Sequence, residues 1–87
     1  MKLKKEFIPH ETGKESLLLP TGNAGFAGLV KGNRTLGVIL KYLTMEDMTE
    51  TEIIAAMKER FDAPEEVIAR DVRKAIVELR RIGALNE

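Results

Sequence analysis

Eighty-seven residues with 44% apolar content make a chain long enough for one small folded domain. The 14 basic and 14 acidic side chains cancel, whereas a dedicated nucleic-acid binder is more often clearly basic. The chain has no cysteine, which excludes a disulfide framework and a thiolate metal site and is in keeping with a reducing cytoplasm, the expected location. The first residues, Met-Lys-Leu-Lys-Lys-Glu-Phe-Ile-Pro, lack the apolar run of a secretory signal, and no window approaches a membrane span.

Taken in order, Phe7 and Ile8 open an extended segment reaching about His10, and Pro9 inside it implies an edge strand or a bulge. Glu11-Thr12-Gly13-Lys14 has turn composition, and Glu15 to Pro20 reads as a second strand, so the two predict a hairpin around Gly13. Thr21 to Gly25 is a glycine-rich loop. Phe26 to Lys31 has the apolar content of a third strand, Gly28 marking a bulge or a close backbone approach, and Gly32 is expected to end it.

Asn33 is a good N-cap for a first helix over 34–43, with Leu36, Ile39, Leu40 and Leu43 on one face. Gly37 weakens that helix, which predicts another backbone packed close to it. Thr44 to Met48 reads as a connection. Thr49-Glu50-Thr51-Glu52 is a capping box opening a second helix over 50–61, its inward face made by Ile53, Ile54, Met57 and Phe61. Asp62-Ala63 is a tight connection, with Asp62 a candidate cap for the next helix.

The third helix, 64–82, has the strongest pattern. Ile68, Val72, Ala75, Ile76 and Leu79 form one apolar stripe. Pro64 suits the first helical position, Glu65 and Glu66 the first turn, Arg80 and Arg81 the last, and Gly83 a left-handed C-terminal residue. Away from the stripe lie Val67, Arg70, Lys74, Val77 and Arg81, with Asp71 and Glu78 flanking. Exposed valines are common on solvated helices; the other reading is that this face meets a strand, a nucleic acid or a peptide. Leu85 is expected to fold back onto the core.

The expected fold is therefore a single α+β domain spanning 1–87: a small three-stranded antiparallel sheet within about 6–31, then three helices. Helices two and three are joined like a helix-turn-helix, which makes the whole winged-helix-like.

Catalytic and metal chemistry find no carriers. His10 is the only histidine and Ser16 the only serine, no soft ligand accompanies His10, and the carboxylates fall at helix starts and on solvent faces. Gly22, Gly25 and Gly28 do not form a phosphate-binding fingerprint. No catalytic residue, metal ligand or cofactor is assigned, and the chain reads as a domain that binds and does not catalyse.

The ordered motifs Asn33-Arg34-Thr35, Thr49-Glu50-Thr51-Glu52-Ile53, Val67 to Asp71-Val72, and Leu79 to Gly83-Ala84-Leu85 resemble those of the PqqD family over nearly the whole chain. The resemblance implies a peptide chaperone that holds the leader of a ribosomally made precursor peptide and presents it to a modifying enzyme, often of the radical S-adenosylmethionine type. It implies that the leader adds as a strand beside the third strand and lays apolar side chains against the last helix. Carried onto this chain, the groove is lined by Ala27, Gly28, Leu29, Val30 and Lys31 from the strand and by Val67, Arg70, Asp71, Lys74 and Glu78 from the helix, with Arg70 and Lys74 available to acidic leader residues. The resemblance leaves open whether the product is pyrroloquinoline quinone or another peptide. The alternative is a winged-helix DNA-binding regulator placing Arg70, Arg73, Lys74 and Arg81 on phosphates. The exposed sheet edge also leaves a strand-exchanged homodimer open.

Overall fold

The computed structural model describes residues 1–13, 15–21 and 30–87, with the backbone alone for Val30 and Lys31. The expected loop from Gly22 and the Phe26–Leu29 part of the expected third strand lie outside the described residues.

A hairpin is made by two strands in antiparallel register, β2 (Phe7–Glu11), with Pro9 at its centre, and β3 (Ser16–Pro20), which ends on a proline, from Phe7 opposite Pro20 to Glu11 opposite Ser16. Thr12 fastens the turn: its hydroxyl accepts from the Glu15 N–H at 3.1 Å, and its own N–H donates to the Glu15 carbonyl at 2.9 Å. β4 (Val30–Gly32) pairs antiparallel with β3, Leu18 opposite Val30 and Ser16 opposite Gly32. Gly32 thus belongs to the strand it was expected to end. The sheet order is β2-β3-β4, so β2 is an edge strand, as Pro9 requires. Alternation along the hairpin buries Phe7, Ser16 and Leu18 and turns Ile8 and Leu19, a directly opposed pair, to solvent.

Three helices follow. In α1 (Arg34–Met45) the Leu36 N–H donates to Asn33 Oδ1 at 3.1 Å, the expected cap. The helix runs 12 residues rather than about nine, taking in Thr44 and Met45. Neither residue breaks a helix, and the Thr44 hydroxyl donates to the Leu40 carbonyl within it at 2.7 Å. α2 (Glu50–Arg60) opens on the expected capping box: Glu52 N–H to Thr49 Oγ1 at 3.2 Å, Thr49 N–H to Glu52 Oε1 at 2.9 Å. α3 (Glu65–Arg81) has Pro64 at the N-cap, one residue before the expected position, with extended backbone and no side-chain cap. Asp62 therefore does not cap it. The proline carbonyl instead accepts from the Val67 and Ile68 N–H groups at 3.1 and 3.2 Å.

Past α3, Gly83 has φ of +74°, and the chain closes a Schellman motif: Ala84 N–H to the Leu79 carbonyl at 2.9 Å, Gly83 N–H to the Arg80 carbonyl at 3.1 Å. That turn returns the chain to the core. β5 (Leu85–Asn86) pairs antiparallel with β1 (Lys2–Leu3), Leu3 opposite Leu85, both buried. This second sheet is an addition to the three strands expected, joining segments from opposite ends of the sequence.

The core gathers Leu18 from the sheet, Ile39, Leu40 and Leu43 from α1, Ile53 and Met57 from α2, and Val72, Ile76 and Leu79 from α3, all essentially inaccessible. α1 is the element in the middle, packed against β1, β2, β3, β4 and α3. Gly37 is buried at its contact with the sheet, but its neighbour is a side chain and not the backbone expected. A Cβ there would overlap the Ser16 hydroxyl and lie 2.9 Å from a Glu11 carboxylate oxygen.

Gly37→Ala therefore sets a gain of about 1 kcal/mol in helix propensity against about 1–3 kcal/mol of overpacking. We expect G37A to lower the urea midpoint and S16A/G37A to recover most of the loss, because the added methyl then meets no hydroxyl. A double variant no more stable than G37A alone would contradict the contact.

Candidate functional site

α3 buries Ile68, Val72, Ile76 and Leu79 in one stripe and so divides its remaining surface into two flanks and an outer face. α2 covers one flank. Lys58 Nζ is 3.4 Å from Glu65 and Arg73 Nε is 3.6 Å from Glu50, over a groove in which Ile54 and Ala55 face Ala69. On the other flank, Val67, Asp71, Lys74 and Glu78 recur at i, i+4, i+7 and i+11. Val67, Asp71 and Glu78 are half-buried, Lys74 is exposed, and Arg70 lies further out. The row is about 16 Å long at the rise of an α-helix, which matches about five residues of extended chain.

The charges of this row are compensated from their own helix. One edge of the Arg81 guanidinium donates through Nε and Nη2 to the two oxygens of the Glu78 carboxylate, Nε at 3.0 Å, and Arg70 Nε is 3.9 Å from Asp71. The Arg81 hydrogen bonds hold the Glu78 carboxyl below its ordinary value of 4.5 and push the guanidinium of Arg81 up. Among the described residues, Lys74 alone of the row's charges has no ion-pair partner.

Of the strand half of the expected groove, Val30 and Lys31 lie in β4, the end strand of its sheet among the described residues, opposite Leu18 and Leu17. Ala27, Gly28 and Leu29 lie outside the described residues. β4 and α3 share one support, since α1 packs against both. The described part of the expected site thus comprises one row on α3 and the backbone of an edge strand.

A second concavity, which no motif in the sequence signals, is an apolar cleft of about 350 Å³ between the hairpin and α1, lined by Pro9, Leu17, Leu40, Thr44 and Met45 among others. Met45, 79% exposed at its edge, lies in the last turn of α1 and not in a connection. Ser16 and His10 make no catalytic pair. Glu11 opposes Ser16 and His10 opposes Leu17, so alternation sends the buried hydroxyl and the exposed imidazole to opposite faces of the sheet. Among the described residues, no three His, Asp or Glu side chains gather in a way that could hold a metal, and no helix is long and apolar enough to cross a membrane.

The family model of PqqD, coenzyme PQQ synthesis protein D, matches residues 17–85. The chain belongs to the PqqD family. The match takes in all of β3 but its first residue, β4, all three helices and the first residue of β5. No curated protein matches the PqqD-family chain. Among solved structures, TbiB1 in complex with the TbiA(beta) leader peptide has the same fold, with a TM-score of 0.76 at 19% identity, over 99% of this chain and 95% of that one.

The Glu78–Arg81 pair gives the row a measurable signature. Because Glu78 is held low, its contribution to stability is present above the unfolded carboxyl value and is lost as the pH falls through the folded one. Exposure keeps that contribution small. In a carboxyl-carbon NMR titration Glu78 should titrate below 4.5, and Arg81→Gln should return it to the ordinary range; a midpoint unmoved by the substitution would contradict the assigned cause.

Proposed function

We propose that this PqqD-family chain is a non-catalytic recognition domain that binds the leader of a ribosomally synthesised precursor peptide and presents it to a peptide-modifying enzyme, of the radical S-adenosylmethionine type. Family membership carries the reading. The shared fold of TbiB1, itself seen with a leader peptide, supports it.

The mode follows from the two halves of the site. An end strand offers backbone N–H and carbonyl groups, which give affinity to an added strand whatever its sequence. The row on α3 gives selection: Val67 offers an apolar contact, and Lys74 offers a charge to an acidic leader residue. Asp71 and Glu78, already compensated by Arg70 and Arg81, repel such a leader less than bare carboxylates would. Ala27, Gly28, Leu29, Val30 and Lys31 complete the groove in this proposal. The DNA-binding alternative gains nothing from this geometry, because Arg70, Arg73 and Arg81 each lie beside a carboxylate.

The test is a titration of the isotope-labelled chain with synthetic leaders from small open reading frames beside its gene. Amide shifts should concentrate at Val30–Lys31 and Val67–Glu78. Lys74→Glu should weaken binding about tenfold, the loss of one good charge-assisted contact, with no change in melting temperature. Wild-type affinity in both K74E and Leu29→Ala, or shifts confined to the cleft at Pro9, Leu40 and Met45, would overturn the assignment.

A further inference from the structure

The leader row leaves the outer face of α3 without a role, and that face has a pattern of its own. Val77 is 61% exposed. Its four neighbours on the helix surface, at i−4, i−3, i+3 and i+4, are Arg73, Lys74, Arg80 and Arg81. One apolar side chain is thus ringed by four cations, all of them exposed. Three of the four are held in place. Arg80 makes a bidentate pair with Glu87 at 2.8 and 2.7 Å, Arg81 makes the same kind of pair with Glu78, and Arg73 lies 3.6 Å from Glu50. A paired guanidinium still has unused N–H donors, and its conformation is restricted before any partner arrives.

We propose that this face is a docking surface for a second protein, one that presents an apolar side chain ringed by carboxylates. An apolar centre inside an arginine-rich rim is the composition of a protein–protein contact, and the cationic ring sets the sign of the complementary partner. Duplex DNA fits less well. A phosphate backbone offers no apolar counterpart to Val77. The face is centred about 90° around the helix from Val67, Asp71 and Glu78, and Lys74 stands on the border between the two. The inference rests on Val77 and the cations around it, whatever the row binds.

The test uses a helical peptide whose single leucine is ringed by glutamates at i±3 and i±4, titrated into the labelled chain to millimolar concentration. The controls are the same peptide with serine for leucine, its lysine-for-glutamate counterpart and a short DNA duplex. We expect saturable shifts over residues 73–81 with the acidic peptide, none with the lysine peptide, and binding about tenfold weaker with the serine peptide, as for one lost anchor. Val77→Asp should weaken the acidic peptide to a similar degree while keeping its helical circular dichroism, and Val77→Leu should retain binding. Equal binding of the leucine and serine peptides would reduce the face to bulk electrostatics and overturn the proposal. So would DNA saturating at lower concentration than the peptide, or no shift with the acidic probe.

Discussion

The burial of one face of α1 is the constraint on which the rest of this small structure depends. Val38, Ile39, Leu40 and Leu43 leave water together, and they do so between a sheet on one side and α3 on the other. At 87 residues a domain buries too little surface to hold two separate cores, so the sheet and the helices must share this one. The contact is possible because α1 meets β3 through a glycine and a serine: Gly37 leaves the space that the Ser16 side chain occupies. The ion pair of Lys41 with Glu11 at 3.5 Å spans the same junction from its exposed rim.

With α1 fixed, α3 has three different surfaces to assign. The stripe goes to the core, α2 takes one flank through Ala69 and the Glu50–Arg73 and Lys58–Glu65 pairs, and the Val67-to-Glu78 row remains on the other. A helix with a single polar face would only solubilise the domain. Here Val67, Asp71 and Glu78 are half-buried and Lys74 is exposed, and Asp71 and Glu78 have their own counter-ions. In the proposed mode, selection rests on this row and affinity on the backbone of the sheet edge.

The same accounting separates two kinds of partner. A leader that adds to the sheet needs an edge and a flank; a protein that acts on the leader needs a surface the leader does not cover. The docking face proposed on α3, with Val77 among Arg73, Lys74, Arg80 and Arg81, would supply that second surface. Lys74 lies at the border of both surfaces, which is where a charge could couple occupancy of one to the other.

Much of this was legible in the sequence because it rests on local physics. The Asn33 cap, the Thr49–Glu52 box and the turn at Gly83 each close within a few residues, and the apolar stripes of the helices follow from spacing alone. Spacing alone grouped Val67, Arg70, Lys74, Val77 and Arg81, with Asp71 and Glu78 flanking; only the resemblance to the PqqD family singled out Val67, Arg70, Asp71, Lys74 and Glu78. Tertiary structure decided the remainder. The pairing of Leu3 with Leu85 joins two-residue strands too short to carry a pattern and more than eighty residues apart. The extra turn of α1 and the N-cap position of Pro64 turn on competition at helix ends, where propensities differ little. Gly37 announced a close approach but not its partner, since a missing Cβ says only that space is needed. Periodicity likewise separated the apolar stripe of α3 from its two flanks without saying which of them α2 would cover, because the spacing of one helix carries no information about its neighbour.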